Sequence, residues 1–578
     1  MLISACRFVF NDFRAAPAVR ASAFQPRTRI LLRTMEEPKK THHTAGALLL
    51  GGTLVPMMVM LERHRLPEQL GRRPELLVLG ILGCSVVAMA NGANDIANSV
   101  GTSFGAGALT LRQAIGLGAA AEFSGAMALG SFVAKTISKG VIEPASFAAD
   151  GCHGDLDWGL GMLSVLAGTG STTLLATLYG LPISATHGVV GGLVALGTYT
   201  HGVASLGRAP LYATVVAWVA SPLVGAVVGA FLHLLVRVAV HETSDPAAAA
   251  HKLQPLLVAL TTAVAAAVLI VAGPAVLRLE PMPLALAASG GVGVLAALGV
   301  LVMRRLRPPS RTSPSTFPHV RHEDERVEDE AEKAPLEAAA RAPQASLSTA
   351  DGEEGASLCC PTSPKLSTTS MPIGAPAPGS EAVAVADGRV IHTSEERPFV
   401  PLLVLSALTV SFAHGANDLG NSIGPLAAIL VVERAGGDIT QPASIPLWLL
   451  ALGSCGFVVG IVLLGARTIV TVGGKITKLT PSRSFAVQLG TAVAVLSSTV
   501  LGLAVSTSHC LVGAIVGIGL CDRLRGGDGE LNGSIILKIV LGWAATIPLA
   551  MIITVLAYMA LLPSYAHDPV CAADGGNM

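Results

Sequence analysis

Asn91–Gly105 reads NGANDIANSVGTSFG, and His414–Ala427 reads HGANDLGNSIGPLA. Asp95 is the only charged residue between Glu75 and Arg112, and Asp418 the only one between Arg397 and Glu433. A carboxylate isolated in so long an apolar run is costly in a membrane and marks a functional position. The Gly, Ala, Asn and Ser around it continue a helix poorly and suit an interrupted one. The expectation is two broken helices, interrupted at these motifs, that meet near the membrane midplane with an ion pathway between them.

The surroundings agree with a membrane location. The 578 residues are 51% hydrophobic and 13% charged, with a positive mean hydropathy, which excludes an ordinary soluble domain. The 63 glycines and 35 prolines suit closely packed and interrupted helices. Net charge is zero, so no electrostatic case for nucleic acid exists. Nine cysteines lack metal-ligand spacing, and no cofactor is expected.

Apolar runs divide the chain. Residues 1–44 are a polar segment in which Arg7, Arg14, Arg20, Arg27, Arg29 and Arg33 face only Asp12 before Glu36. That bias fits an organelle-targeting peptide, a polar tail, or translation starting at Met35. Residues 45–303 form a first membrane half, opening with the apolar run Ala45–Leu61 and including Lys135–Asp157 as a polar loop. Residues 304–397 are a hydrophilic connector without apolar periodicity, read as disordered. Residues 398–562 form a second membrane half and 563–578 a tail. The fold class is an all-α polytopic membrane protein of about 12 spans.

The halves repeat one another. Asp95 and Asp418 lie 323 positions apart (418 − 95), as do Asn98 and Asn421 and also Gly101 and Gly424. Further on, TLYGLPISATH (Thr177–His187) matches TVLGLAVSTSH (Thr499–His509) at an offset of 322 (509 − 187). Two motifs in nearly one register mean an internal duplication, a recurring transporter architecture. Sequence spacing does not distinguish parallel halves from inverted ones.

The motifs carry distinct chemistry. Asp95 with Asn94 and Asn98, and Asp418 with Asn417 and Asn421, offer hard oxygen ligands suited to Na⁺, or a carboxylate that carries H⁺. Ser184 and Thr186 precede one apolar run, and Ser506, Thr507 and Ser508 precede another. Hydroxyls at a helix start can cradle an oxyanion without Arg or Lys, although Ser and Thr there are also ordinary N-caps. His187 and His509 could orient these hydroxyls, share a proton, or sit as satisfied core residues. Glu122 is a third isolated acid; its second-half counterpart falls near Gly456, so it breaks the symmetry. It either couples protons or cations, or pairs with Lys135 or Lys139. An intramembrane hydrolase using Ser184 or Ser506 with its His is disfavoured. A complete dyad is not expected twice, and neither serine lies in GxSxG.

GANDIANSVGT with PISATH, echoed by HGANDLGNSIGPLAAI with VSTSH, resembles the inorganic phosphate transporter family of sodium/phosphate symporters and phosphate permeases. Thr471–Gly490 is similar to that family's second-half segment, and the likeness spans roughly Leu76–Val302 and Phe399–Leu562. The resemblance implies an all-helical fold of two inverted repeats, a phosphate site between them, and symport with Na⁺ or H⁺. It implies cation ligation, Na⁺ included, at Asp95, Asn98, Asp418 and Asn421, and phosphate ligation at Ser184, Thr186, Ser506, Thr507 and Ser508. Glu122 matches an acid important in family members. Gln488 stands where many relatives have Glu, and Ala504 replaces the usual Pro. The implied partners are phosphate, the co-transported cation and the lipid bilayer, with a homodimer open to the chain. A plasma membrane is the expected location, with an organelle membrane second. Sulfate, arsenate or a non-transporting phosphate sensor are the competing readings.

Overall fold

Backbone in a bilayer must satisfy its own hydrogen bonds, so apolar runs become helices whatever their residues' propensities in water. In a computed structural model the described residues are 73–273, 277–306, 384–386, 389–433, 438–441, 445–475, 480–526, 531 and 533–565. The polar segment 1–44, the run Ala45–Leu61, most of the connector and most of the 563–578 tail lie outside them.

The first half contains α1 (Pro74–Gly105), α2 (Leu111–Leu129), α3 (Ser131–Lys139), α4 (Gly151–Leu178), α5 (Ala185–His201) and α6 (Arg208–Val236). Two further helices follow, α7 (Pro246–Ala272) and α8 (Met282–Leu306). After a small antiparallel hairpin, Ala384–Ala386 with Arg389–Ile391, the second half contains α9 (Phe399–Glu433), α10 (Leu447–Lys475), α11 (Pro481–Val500), α12 (Thr507–Leu524) and α13 (Gly533–Leu561). Among the described residues nine helices are long and apolar enough to cross a membrane. The number is ten if α2 and α3, bent by 63° about Gly130, count as one span.

The packing repeats as the sequence does. Helix α1 packs on α4 and α10, and its mate α9 packs on α11 and on α2 with α3. Helix α6 packs on α11 and α12; α13 packs on α4 and α5. Each half is thus closed by the other. Helices α1 and α9 cross antiparallel: Arg73 meets Glu433 at one end, and Asn91 meets Asp418 at the motif.

The structure corrects several expectations. No helix breaks at either GAND motif: α1 and α9 run through them for 32 and 35 residues, and Asn98–Gly105 is the same helix continued. Small residues serve close approach instead. A Cβ on Gly92 would meet the Phe457 backbone at 2.6 Å, and one on Gly415 the Glu122 backbone at 2.0 Å. The breaks fall at the second motif, between α4 and α5 and between α11 and α12. There Gly180 (φ 64°) and Gly502 (φ 70°) take the left-handed backbone that glycine accommodates. Lys135–Asp157 is a loop only in its middle: α3 runs to Lys139, a short helix Ala145–Ala148 follows, and α4 starts at Gly151. The described end of the connector is structured too. Glu396 is buried and accepts hydrogen bonds from the Ser482 backbone N–H (2.7 Å) and hydroxyl (2.6 Å) at the start of α11. An acid at a helix N-terminus satisfies its free N–H groups.

Candidate ion and anion site

The crossing of α1 and α9 places four ionisable groups together in the interior. Asp95, His414 and Asp418 are buried and present ligand atoms within 4.8 Å of one another. The His414 Nε2 lies 3.3 Å from Asp418 Oδ2 and 3.7 Å from Asp95 Oδ2; its Nδ1 lies 3.1 Å from Glu122 Oε2. Both His414 and Glu122 are fully buried. Glu122 therefore pairs with neither Lys135 nor Lys139, as one reading had it. Gly415 lets α9 approach α2 closely enough for a histidine one residue earlier to reach it. His414 thus stands between acids on both of its ring nitrogens. Three acids around one imidazole form a donor set that suits a cation.

Around this cluster the asparagines divide. Asn98 donates to Asp95 Oδ1 (2.9 Å), and Asn421 donates to Thr186 Oγ1 (3.2 Å). Buried oxygens Asp418 Oδ1 and Asn421 Oδ1 have no hydrogen-bond partner, as suits atoms reserved for a ligand. Asn94 and Asn417 direct their amides elsewhere. Asn94 donates to Thr177 Oγ1 and to the Leu181 carbonyl, and accepts from the Ile183 N–H. Asn417 donates to Thr499 Oγ1 and to the Leu503 carbonyl, and accepts from the Val505 N–H.

The hydroxyl motifs lie where the breaks end. Ser184 and Ser506 are the N-caps of α5 and α12, accepting from the backbone N–H of His187 and His509. Thr186 donates to the Val505 carbonyl (3.1 Å) across the two halves, Ser506 and Ser508 hydroxyls lie 2.9 Å apart, and Thr507 is buried as the first residue of α12. His187 and His509 meet at 4.6 Å between ring centres, backed by Trp218 at 4.2 Å and Trp543 at 3.8 Å. Two helix starts, each with free N–H groups and hydroxyls, therefore face one interior region beside the acid cluster.

The phosphate transporter family model matches residues 91–554, from the first GAND motif nearly to the end of α13. The chain belongs to the phosphate transporter family. Among its family relatives, inorganic phosphate transporter 2-1, chloroplastic, of Arabidopsis thaliana is 32% identical over 477 residues, covering 80% of this chain and 68% of that protein. A candidate phosphate permease of Pyrococcus abyssi is 29% identical over 489 residues, covering 84% and 98%. A solved structure titled the sodium-dependent phosphate transporter superposes with a TM-score of 0.64 at 26% identity, covering 84% of this chain and 99% of that one. As a phosphate transporter family member the protein is a multi-pass membrane carrier and not an enzyme.

Within this family member, sequence reasoning singled out the residues of both GAND motifs, both hydroxyl motifs and Glu122, but not His414. The signal was available. Asn91 and His414 occupy one repeat position (414 − 91 = 323), and only the second half has an ionisable side chain there. Glu122 breaks the same symmetry, and the structure pairs the two exceptions. Gln488, the family departure, donates to the Asn98 carbonyl (3.3 Å) and to Thr102 Oγ1 (2.5 Å). It thus holds α11 against α1 beside the cluster.

Proposed function

We propose that the protein carries inorganic phosphate across a membrane by symport with a cation, sodium first among the candidates. The carrying observation is the bond from Asn421 to Thr186. It joins the turn of α9 that holds Asp418 to the helix start that offers hydroxyls, so cation and anion groups share one interior space. In this reading Asp95, Asn98, Asp418 and Asn421 ligate the cation, and Ser184, Thr186, Ser506, Thr507 and Ser508 receive phosphate. His414 and Glu122 set the charge of the cluster. An anion moving against a negative-inside potential faces roughly 2.3 kcal/mol per charge per 100 mV, and cations bound with it offset that. The name of the solved relative, sodium-dependent, supports Na⁺ over H⁺.

In this reading the architecture is two inverted repeats, α1–α6 and α9–α13, with α7 and α8 between them. The antiparallel crossing of α1 and α9 favours inversion. In this reading the total is the about 12 spans expected from hydropathy. In this reading the domain limits are those expected from the sequence, with 304–397 joining the halves. For location, a plasma membrane is the first reading. The Arg-rich start and the chloroplastic relative favour an organelle envelope as the second. A C-terminal fluorescent fusion separates them.

The test is uptake of labelled phosphate into proteoliposomes, comparing an inward Na⁺ gradient with an inward H⁺ gradient at fixed potential. Sodium-driven uptake is expected. Proton-driven uptake would move the coupling to H⁺. Competition by sulfate or arsenate as strong as by phosphate would change the substrate. No gradient-dependent uptake at all would favour a sensor.

A further inference from the structure

Asn94 and Asn417 each make the same three hydrogen bonds, and no cation needs them for that. In each half the Asn amide donates to a Thr hydroxyl and to a break carbonyl, and accepts from the last N–H before the Ser N-cap. The distances are 3.1, 2.9 and 3.1 Å for Asn94 and 2.9, 3.1 and 3.3 Å for Asn417. The Thr hydroxyls pass their own protons back to the carbonyls of Thr173 and Val495, so each is free to accept. A helix break in a membrane leaves backbone groups that cost several kcal/mol each if unpaired. Within the first break Gly180 and Leu181 donate back to α4, and Pro182 has no N–H. The single amide of Asn94 satisfies both the Leu181 carbonyl and the Ile183 N–H. A side-chain amide supplies two donor hydrogens and an acceptor at once, which a hydroxyl with its single proton does not.

The position of this amide matters more than its bonds. Asn94 immediately precedes Asp95 on α1, and the backbone it grips ends one residue before Ser184. Asn417 stands likewise between Asp418 and Ser506. Adjacent helical residues point about 100° apart, so one turn presents its Asp to the cation cluster and its Asn to the break. Any shift of that turn when a cation binds Asp95 moves the hydroxyl-bearing start of α5 with it.

We propose that Asn94 and Asn417 are positioning residues that couple cation occupancy to phosphate affinity, each linking the Asp beside it to the helix start of its own half. The inference rests on the transport reading and deepens it: coupling between the two ligands runs along α1 to α5 and along α9 to α12. Coupling is reciprocal and measurable at equilibrium as the factor by which one ligand tightens the other.

The experiment is equilibrium binding to the full-length protein in nanodiscs. Radiolabelled sodium and radiolabelled phosphate are titrated separately and together. Fluorescence of Trp218 and Trp543, which stand against the histidines of the two helix starts, provides a second readout. In the unaltered protein saturating sodium is expected to tighten phosphate binding by a factor of about 5 to 150, the usual range for coupled sites. In Asn94→Ala and Asn417→Ala sodium still binds, but that factor falls toward one and the sodium-induced fluorescence change shrinks. Thr177→Val and Thr499→Val remove one of the three bonds without touching either Asn. They are expected to lower the factor partway, and they carry the test if the alanine variants fail to fold. Weakening of both ligands with an unchanged factor would make the asparagines merely structural and overturn the proposal. Loss of sodium binding would overturn it too, by returning them to the cation ligands. Absence of sodium-enhanced phosphate binding in the unaltered protein would remove the sodium-symport reading, and this inference with it.

Discussion

At the scale of single residues the cluster of Asp95, His414, Asp418 and Glu122 differs from a pair of isolated aspartates in one respect. It holds a histidine between its acids. Replacing Asp95 or Asp418 by Asn removes a cation ligand while keeping shape, so uptake is expected to vanish while the protein still reaches the membrane. Surface biotinylation beside the uptake assay checks both. Glu122 acts through His414. Glu122→Ala leaves the His414 Nδ1 facing no acid in a fully buried site. A lowered melting temperature in detergent is expected, with Glu122→Gln falling between it and the parent. Both aspartates were legible because charge inside an apolar run is conspicuous. The pairing of Glu122 with His414 was not, because their contact spans 292 positions (414 − 122) and depends on how closely two helices approach.

At the scale of helices, small residues in the motifs act by packing and not by breaking. The GAND glycines sit where another backbone passes, so a methyl group has nowhere to go. Gly415→Ala would drive its Cβ onto the Glu122 carbonyl. Overpacking of this kind costs about 1–3 kcal/mol or more, and a sharp loss of monodisperse protein on size-exclusion chromatography is expected. Gly290→Ala on α8, where nothing lies within 4 Å, is the control and should match the parent or gain up to about 1 kcal/mol in helix propensity. The element boundaries were partly legible. Gly180–Pro182 separates two helices, and Gly and Pro there have backbone reasons to stop one. Asn and Ser in α1 gave a false break, because propensities measured in water lose to the obligation to bond every backbone group in an apolar interior.

For the whole molecule the inverted reading makes a topological prediction. Helices α1 and α9 begin at opposite ends of the crossing, so exposed cysteines at Glu75→Cys and Ser394→Cys should be labelled by an impermeant maleimide from opposite sides of the membrane. Labelling from one side would refute inversion. At the end where α6, α11 and α12 converge, Asp522 binds Arg483 (3.0 Å), Arg237 (3.2 Å) and His233 (2.7 Å). This hub ties the two halves together. Asp522→Asn would leave two arginines without their shared acid, and a lower melting temperature in detergent is expected, partly recovered by adding Arg483→Ala.

The sequence by itself determined the membrane class, the duplication, the residues that carry chemistry and the family, since each depends on composition, spacing or local motif. Tertiary structure alone decided which residues meet. It put His414 between three acids, turned Asn94 and Asn417 to the breaks, and moved the breaks from the first motif to the second. The reason is physical. Spacing fixes which face of a helix a residue occupies, but contact depends on which other helix packs there, and here each half is completed by the other.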